Sequence, residues 1–342
     1  MKTSSGESII TVSALKKEFQ IKKATGGLRS RFKNLLSSKT ETFLAVNSIS
    51  LNIAEGEAVA LIGPNGAGKS TTIKMLTGIL YPTSGEATVC GMNPWKQRVQ
   101  LAHQIGSVFG QKSQLWMHLP PNDTFELMAR IYELDLPKFR RRKDMLIELF
   151  EMKEFIDVPT RKLSLGQRMR CEIASSLLHS PKVIFLDEPT IGLDPVAKAS
   201  IRDLIKRVNQ EEKVTVLLTS HDSGDIEKLC KRVIIINKGA VVFDDSTGKL
   251  KREFLQKKEI NLKLNSTWPQ ALRVDQMGFP GVDVIKSSDY GLKISVDTSQ
   301  SSVGALVQKL LAQDGIEDIS IHEAPLEEII AQIYRSHRVG AV

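Results

Sequence analysis

A chain of 342 residues, 41% hydrophobic and 25% charged, is long enough for two domains with substantial cores. It lacks the roughly 18-residue apolar stretch that crosses a bilayer and the basic-then-apolar start of a signal peptide, so the chain is expected in the cytosol. The scattered Cys90, Cys171 and Cys230 argue against a disulfide framework or zinc site, while a net charge of +8 raises nucleic acid or an anionic membrane as partners.

Residues 9–12 and 51–54 have the apolar spacing of strands, with a basic insertion at residues 21–42 between them. That insertion carries Lys22, Lys23, Arg29, Arg31, Lys33 and Lys39 against Glu41, so much of the charge excess is local. On a helix, Leu28, Phe32, Leu35 and Leu36 would share a face, which suits either a membrane surface or packing on the domain. Residues 58–62 form a short apolar run, and residues 69–80 show helical periodicity through Ile73, Met75, Leu76 and Leu80. Between them lies Gly63-Pro64-Asn65-Gly66-Ala67-Gly68-Lys69-Ser70-Thr71, which fits the phosphate-loop pattern in its strand–loop–helix context. Glycines admit phosphate oxygens close to the backbone, and N–H groups from Gly66 to Ser70 at a helix start favour the anion. Lys69 should bridge the β- and γ-phosphates of a nucleoside triphosphate, and the Ser70 hydroxyl should bind Mg²⁺.

Residues 120–178 are mostly helical, with Leu146, Leu149 and Phe150 at helical spacing. Residues 182–186 and 214–219 are apolar runs that read as buried strands, joined by a helix at 196–208. Strand, helix, strand implies a parallel sheet with right-handed crossovers. Asp187 ends the first of these strands, where a carboxylate holds Mg²⁺, and Glu188 beside it points elsewhere and is the candidate general base. After residue 245 the texture changes to alternating strands at 258–264, 283–286, 292–296 and 316–321, with helices at 303–311 and 326–334. This pattern predicts a small α+β domain, with the ferredoxin-like arrangement as a possibility.

Phosphate loop, Leu163-Ser164-Leu165-Gly166-Gln167, Asp187-Glu188 and a late His221 follow one another in the order of the ATP-binding cassette (ABC) family, which this chain resembles from about residue 9 to 245. The resemblance implies an α/β P-loop NTPase cassette: a mostly parallel sheet core in residues 1–245, with a helical subdomain at about 112–180. Residues 246–342 would be an accessory domain. It implies ATP and Mg²⁺ as ligands, with Gln111 as the Q-loop residue and His221 as the switch histidine at the γ-phosphate. Gln114 is the alternative to Gln111. Asp194 matches the D-loop at the dimer interface. Phe19 fits the aromatic that stacks on adenine, with Phe43 as its alternative.

Ser164, Gly166 and Gln167 would close over ATP held by another subunit, and Leu165 departs from the family's usual glycine. The Phe109-Gly110-Gln111 loop, the signature and the appended domain look like ATP-binding subunits of ABC-2-type exporters. The implied partners are a second copy or homologous ATP-binding subunit and integral membrane permease subunits, at the cytoplasmic face of the inner membrane. Trp116, Met117 and Leu119 would form a permease-docking surface or fill the helical core. Segment 323–328 also resembles the C-terminal part of such subunits. Nucleic acid is not expected, although a soluble ABC ATPase acting on ribosomes or nucleic acid is the alternative.

Overall fold

The computed structural model describes residues 8–22, 40–110, 112–254, 257–265, 278–288, 290–313, 315–323, 329–330 and 333. The chain divides into two compact units, Met1–Asp245 and Ser246–Val342.

In the first unit, β1 (Ser8–Lys22) pairs antiparallel with β2 (Thr40–Ala54) and β4 (Ser84–Val89) in a three-stranded sheet. Both long strands exceed the short apolar runs expected. Ile21 pairs with Glu41 and Lys22 with Thr40, so the ends of the predicted insertion are sheet rather than loop. The reading of a basic amphipathic helix at Leu28, Phe32, Leu35 and Leu36 lies outside the described residues.

The second sheet has β3 (Ala58–Ile62), β5 (Ile105–Phe109), β6 (Val183–Asp187), β7 (Thr215–Thr219), β8 (Arg232–Asn237) and β9 (Ala240–Ser246) in the order β5-β6-β7-β3-β8-β9. Strands β5, β6, β7, β3 and β8 run parallel. Parallel strands are covered on both faces, which is why β6 and β7 read as near-continuous apolar runs and are buried almost throughout. Registers align their C-terminal ends: Phe109 pairs with Asp187, Asp187 with Thr219, and Thr219 with Leu61. Every loop that leaves this edge therefore opens beside its neighbours, where α/β sheets bind ligands.

Helix α1 (Lys69–Leu76) packs Ile73, Met75 and Leu76 into a core shared by both sheets. It stops short of the expected residue 80 because Thr77 caps it and Gly78 adopts φ +73°, where a Cβ would meet the Pro94 carbonyl oxygen at 2.4 Å. Leu80 still packs on that core, so its apolar spacing reported burial rather than helix. Helices α2 (Arg98–Ala102), α3 (Pro121–Ile131), α4 (Leu136–Leu149), α5 (Leu165–Leu177), α6 (Pro195–Glu212) and α7 (Ser223–Leu229) complete the unit. Pro121 and the Asp135 cap fix the starts of α3 and α4.

The second unit contains α8 (Thr247–Phe254), β10 (Lys257–Leu264), β11 (Val282–Ser288), β12 (Gly291–Asp297), α9 (Val303–Leu311) and β13 (Ile316–Glu323). Its sheet order is β11-β12-β10-β13 with every neighbouring pair antiparallel. That order and those directions match the ferredoxin-like arrangement, with α9 as the crossover from β12 to β13. Ile260, Ile294 and Val296 meet Leu306 and Leu310 of α9 in a core of its own. Most of the helix expected at 326–334 and residues 324–328 of the tail segment lie outside the described residues. Among the described residues no helix is long and apolar enough to cross a membrane.

Candidate functional site

The phosphate loop leaves β3 in a conformation that only glycine permits at two positions. A Cβ on Gly63 would stand 2.2 Å from the Ile236 carbonyl oxygen, and Gly68 adopts φ +104° with its Cβ position 2.5 Å from the Ala45 oxygen. Lys69 is buried at 6% exposure, and its Nζ donates to the Gly63 carbonyl at 2.7 Å and the Pro64 carbonyl at 3.2 Å. Burial pushes this ammonium below the usual lysine range, while Glu188 and Asp187 pull it back up.

Ser70 Oγ donates to Asp187 Oδ1 at 3.1 Å, and Thr219 Oγ1 donates to the same oxygen at 2.6 Å. Thr219 also receives the Glu188 N–H, through its backbone oxygen and its hydroxyl, each at 3.1 Å. Glu188 sits at φ +56°, a left-handed conformation uncommon for a residue with a Cβ. The turn separates adjacent carboxylates: Asp187 meets Ser70, whereas Glu188 Oε1 meets His221 Nε2 at 2.6 Å. Lys69, Ser70, Thr71, Glu188 and His221 line one cavity of about 460 Å³ together with Asn65, Gly66, Ala67 and Gly68. Phe19 and Phe43 are cross-strand partners and both face this cavity, so the fold brings the two candidate adenine aromatics together. Lys17 Nζ lies 5.1 Å from the Phe19 ring centre.

Gln111 lies outside the described residues. Its neighbour Gly110 donates its N–H to the Asp187 carbonyl at 3.0 Å, which ties the loop to the acidic strand end. The alternative, Gln114, donates its side-chain amide to the Ser107 carbonyl and its backbone N–H to Glu172 Oε2 at 3.0 Å. Glu172 is buried and also accepts from Ser113; desolvation raises its pKa, against the lowering effect of those hydrogen bonds. Composition did not single out Glu172 or Thr219, since a glutamate in a helix and a threonine ending a strand are ordinary in sequence.

The signature lies elsewhere. Ser164 caps α5 in a reciprocal box: its hydroxyl accepts from Gln167 N at 3.2 Å, and Gln167 Oε1 accepts from Ser164 N at 3.0 Å. Leu165 lies beside the loop that leads to Asp194, its Cδ2 lying 3.3 Å from where a Gly192 Cβ would be. Asp194 caps α6 by accepting from Val196 N and Ala197 N, and these bonds, Ala197's first, hold its carboxyl below the usual range. Ser164, Gly166, Gln167 and Asp194 line a second cavity of about 630 Å³, apart from the one holding Lys69.

Comparison with known proteins places these features in a family. Residues 46–191 match the model of the ABC transporter family. The chain is 33% identical to the ABC transporter ATP-binding protein NatA of Bacillus subtilis, over 60% of this chain and 83% of NatA. It is 30% identical to the daunorubicin/doxorubicin resistance ATP-binding protein DrrA of Streptomyces peucetius, over 83% of this chain and 86% of DrrA. Other relatives are longer, and the match spans 31% of an ABC transporter A family member of Dictyostelium discoideum. Among solved structures, a dimeric post-hydrolysis state of the ATP-binding cassette MJ0796, bound to ADP and phosphate, matches with TM-score 0.57 and 26% identity. That match covers 69% of this chain and 98% of that one. A phosphate loop, acidic strand end and histidine at one sheet edge, on a chain with these relatives, mean that it belongs to the ATP-binding proteins of the ABC transporter family and carries an ATP-binding ATPase cassette.

Proposed function

We propose that this chain is the ATP-hydrolysing subunit of a multisubunit ABC-2-type exporter. Two copies, or this chain and a homologue, close over two ATP and drive separate integral membrane permease subunits from the cytoplasmic face of the inner membrane. One observation carries the reading. Ser164, Gly166 and Asp194 line a different cavity from Lys69, Ser70, Glu188 and His221, which supports the signature meeting ATP on a second copy. The dimeric state of the related MJ0796 cassette supports this.

Residues 1–245 are then the ATP-binding domain, and 246–342 an accessory domain. The 287 residues aligned with DrrA outnumber the 245 of the first unit, so that likeness reaches into the second and favours the exporter subtype.

In this reading, the N–H groups from Gly66 to Ser70 receive the phosphates at the start of α1, and Phe19 or Phe43 stacks on adenine. Lys69 exchanges the Gly63 and Pro64 carbonyls for phosphate oxygens, which relieves a buried cation that now faces only neutral acceptors at hydrogen-bond distance. Ser70 and Asp187 present an all-oxygen pair 3.1 Å apart, the donor chemistry that suits Mg²⁺, with Gln111 as the third expected contact. When bound, Mg²⁺ offsets phosphate charge. Glu188 takes a proton from water as the water oxygen bonds to the γ-phosphorus and the bond to the ADP oxygen breaks. His221, hydrogen-bonded to Glu188, orients that carboxylate and faces the γ-phosphate.

Trp116, Met117 and Leu119 are 41%, 37% and 37% exposed, which favours a permease-docking surface over a role in the helical core. The test is to tag a Glu188→Gln chain, extract native membranes in mild detergent with ATP, and identify stoichiometric partners by mass spectrometry. A multi-span membrane protein supports the transporter. Ribosomes or nucleic acid without a membrane partner would overturn it, in favour of the soluble ATPase that a net charge of +8 suggests.

A further inference from the structure

An ionic network centred on the buried Asp225 joins the loops that carry Glu188 and His221, and it uses residues outside the motifs. Asp225, with no exposed surface, accepts from Thr190 Oγ1 at 2.5 Å, Ser220 Oγ at 2.5 Å and Arg202 Nε at 2.6 Å. The second arm of Arg202, Nη2, donates to Asp222 Oδ1 at 2.7 Å, and Lys198 Nζ donates to Asp222 Oδ2 at 2.6 Å. Burial raises the Asp222 pKa, but Lys198 and Arg202 outweigh it and hold the carboxyl below the usual range. Asp222 also caps α7 by accepting from Gly224 N at 2.9 Å, and its own N–H donates to Ser220 Oγ at 3.0 Å.

Gly224 leaves room for the guanidinium: a Cβ there would stand 2.9 Å from Arg202 Nη1 and 3.0 Å from Cζ. The placement is specific. Thr190 lies two residues past Glu188, Ser220 and Asp222 flank His221, and Lys198 and Arg202 stand on α6, the helix that Asp194 caps. Burying charge pairs yields little net stability compared with apolar packing, whereas a two-armed guanidinium fixes directions. What this network supplies is geometry at the hydrolytic pair.

We propose that Arg202 and Asp225 are positioning residues for ATP hydrolysis: by tying Thr190 to Ser220 and Asp222 across α6, they hold His221 within hydrogen-bond reach of Glu188. This rests on the reading of Glu188 and His221 given above. Neither Arg202 nor Asp225 lines the cavity that holds Lys69 and Ser70, so nucleotide binding should survive their loss.

The test is a double-mutant cycle on the full chain, measuring kcat and KM for ATP for Arg202→Met and Asp225→Asn, each with and without His221→Ala. A misplacement of about 1 Å at a reacting centre costs on the order of 100-fold, so Arg202→Met should lower kcat by about 10- to 100-fold with KM nearly unchanged. In the His221→Ala background the same substitution should change kcat by less than about twofold, because the group it positions is gone. Asp225→Asn keeps the shape and carries the cycle if Arg202→Met does not fold. Equal fold-losses in both backgrounds, or a KM that rises as kcat falls, overturn the proposal. If His221→Ala alone leaves kcat intact, the underlying reading of the site fails and the positioning role falls with it. If His221→Ala does lower kcat but the cycle is additive, the positioning role fails alone.

Discussion

Replacing Gly110 by alanine should disable hydrolysis from outside the nucleotide cavity. Gly110 follows β5 and donates to the Asp187 carbonyl, and its φ lies outside the left-handed region, so the effect of a side chain there is steric. The new Cβ would stand 2.6 Å from the Glu188 carbonyl oxygen and 3.0 Å from that of Asp187, both backbone atoms that cannot rotate away. Retreat to an ordinary contact of 3.4 Å requires a movement of about 0.8 Å at the strand end. That strand end holds Asp187 on Ser70 and Thr219, and it sets the direction of Glu188. Overpacking of this kind costs about 1–3 kcal/mol, and a shift approaching 1 Å in catalytic groups costs on the order of 100-fold in rate. ATP turnover should therefore fall by up to about 100-fold, with a melting midpoint lower by roughly 2–4 °C per kcal/mol lost. Coupled-enzyme ATPase assays and thermal melts read both quantities. Gly248→Ala is the control, since a Cβ there meets nothing within 4 Å and the backbone φ is ordinary. Wild-type turnover and midpoint in Gly110→Ala would refute the steric link between the loop after β5 and the acidic strand end.

His179 should make stability depend on pH. It stacks on Tyr132 at 4.4 Å and its Nε2 lies 2.9 Å from the Ile105 carbonyl, while burial pushes its pKa from 6.5 down to about 4. The unfolded chain takes up a proton between those values and the folded chain does not. The contribution is thus whole above pH 6.5 and declines toward pH 4, by about 3 kcal/mol. Denaturant titrations from pH 7 to 4 should show a shallower loss for His179→Gln, and identical slopes would count against the assignment. Ser164→Ala removes the cap of α5, worth about 1 kcal/mol, together with the signature hydroxyl. ATPase assays should show a much larger loss of turnover than melts show of stability, whereas Ser164→Thr, which keeps the cap, should melt as wild type does. Trp116→Ala should uncouple transport while sparing basal ATPase activity, so normal transport at normal expression would remove the docking role.

The motif chemistry was readable because its order is linear: a glycine loop after a buried strand, and a carboxylate pair ending another. The parallel strands were readable because burial on both faces leaves runs such as Val183-Ile184-Phe185-Leu186. The extent of β1 was hidden by half-exposed positions filled with Lys16 and Lys17, which broke the apolar alternation. The end of α1 followed from the tight approach of Gly78 to Pro94, a contact between segments that periodicity does not record. Other site contacts were beyond local reading for the same reason. Thr219 reaches Asp187, Leu165 settles on Gly192, and Asp225 gathers Thr190, Ser220 and Arg202 only after the sheet has aligned their loops.

In the proposed mechanism Glu188, turned by its left-handed backbone toward His221, is the base for hydrolysis in a dimer closed over ATP. The direct measurement is ATP turnover of Glu188→Gln beside its sedimentation with and without ATP and Mg²⁺. Turnover should fall by about 10²- to 10⁴-fold, the usual contribution of a general base, while ATP converts the chain to a stable dimer. Turnover near wild type would contradict the role of Glu188 as base, and a chain that stays monomeric with ATP bound would contradict the closed dimer.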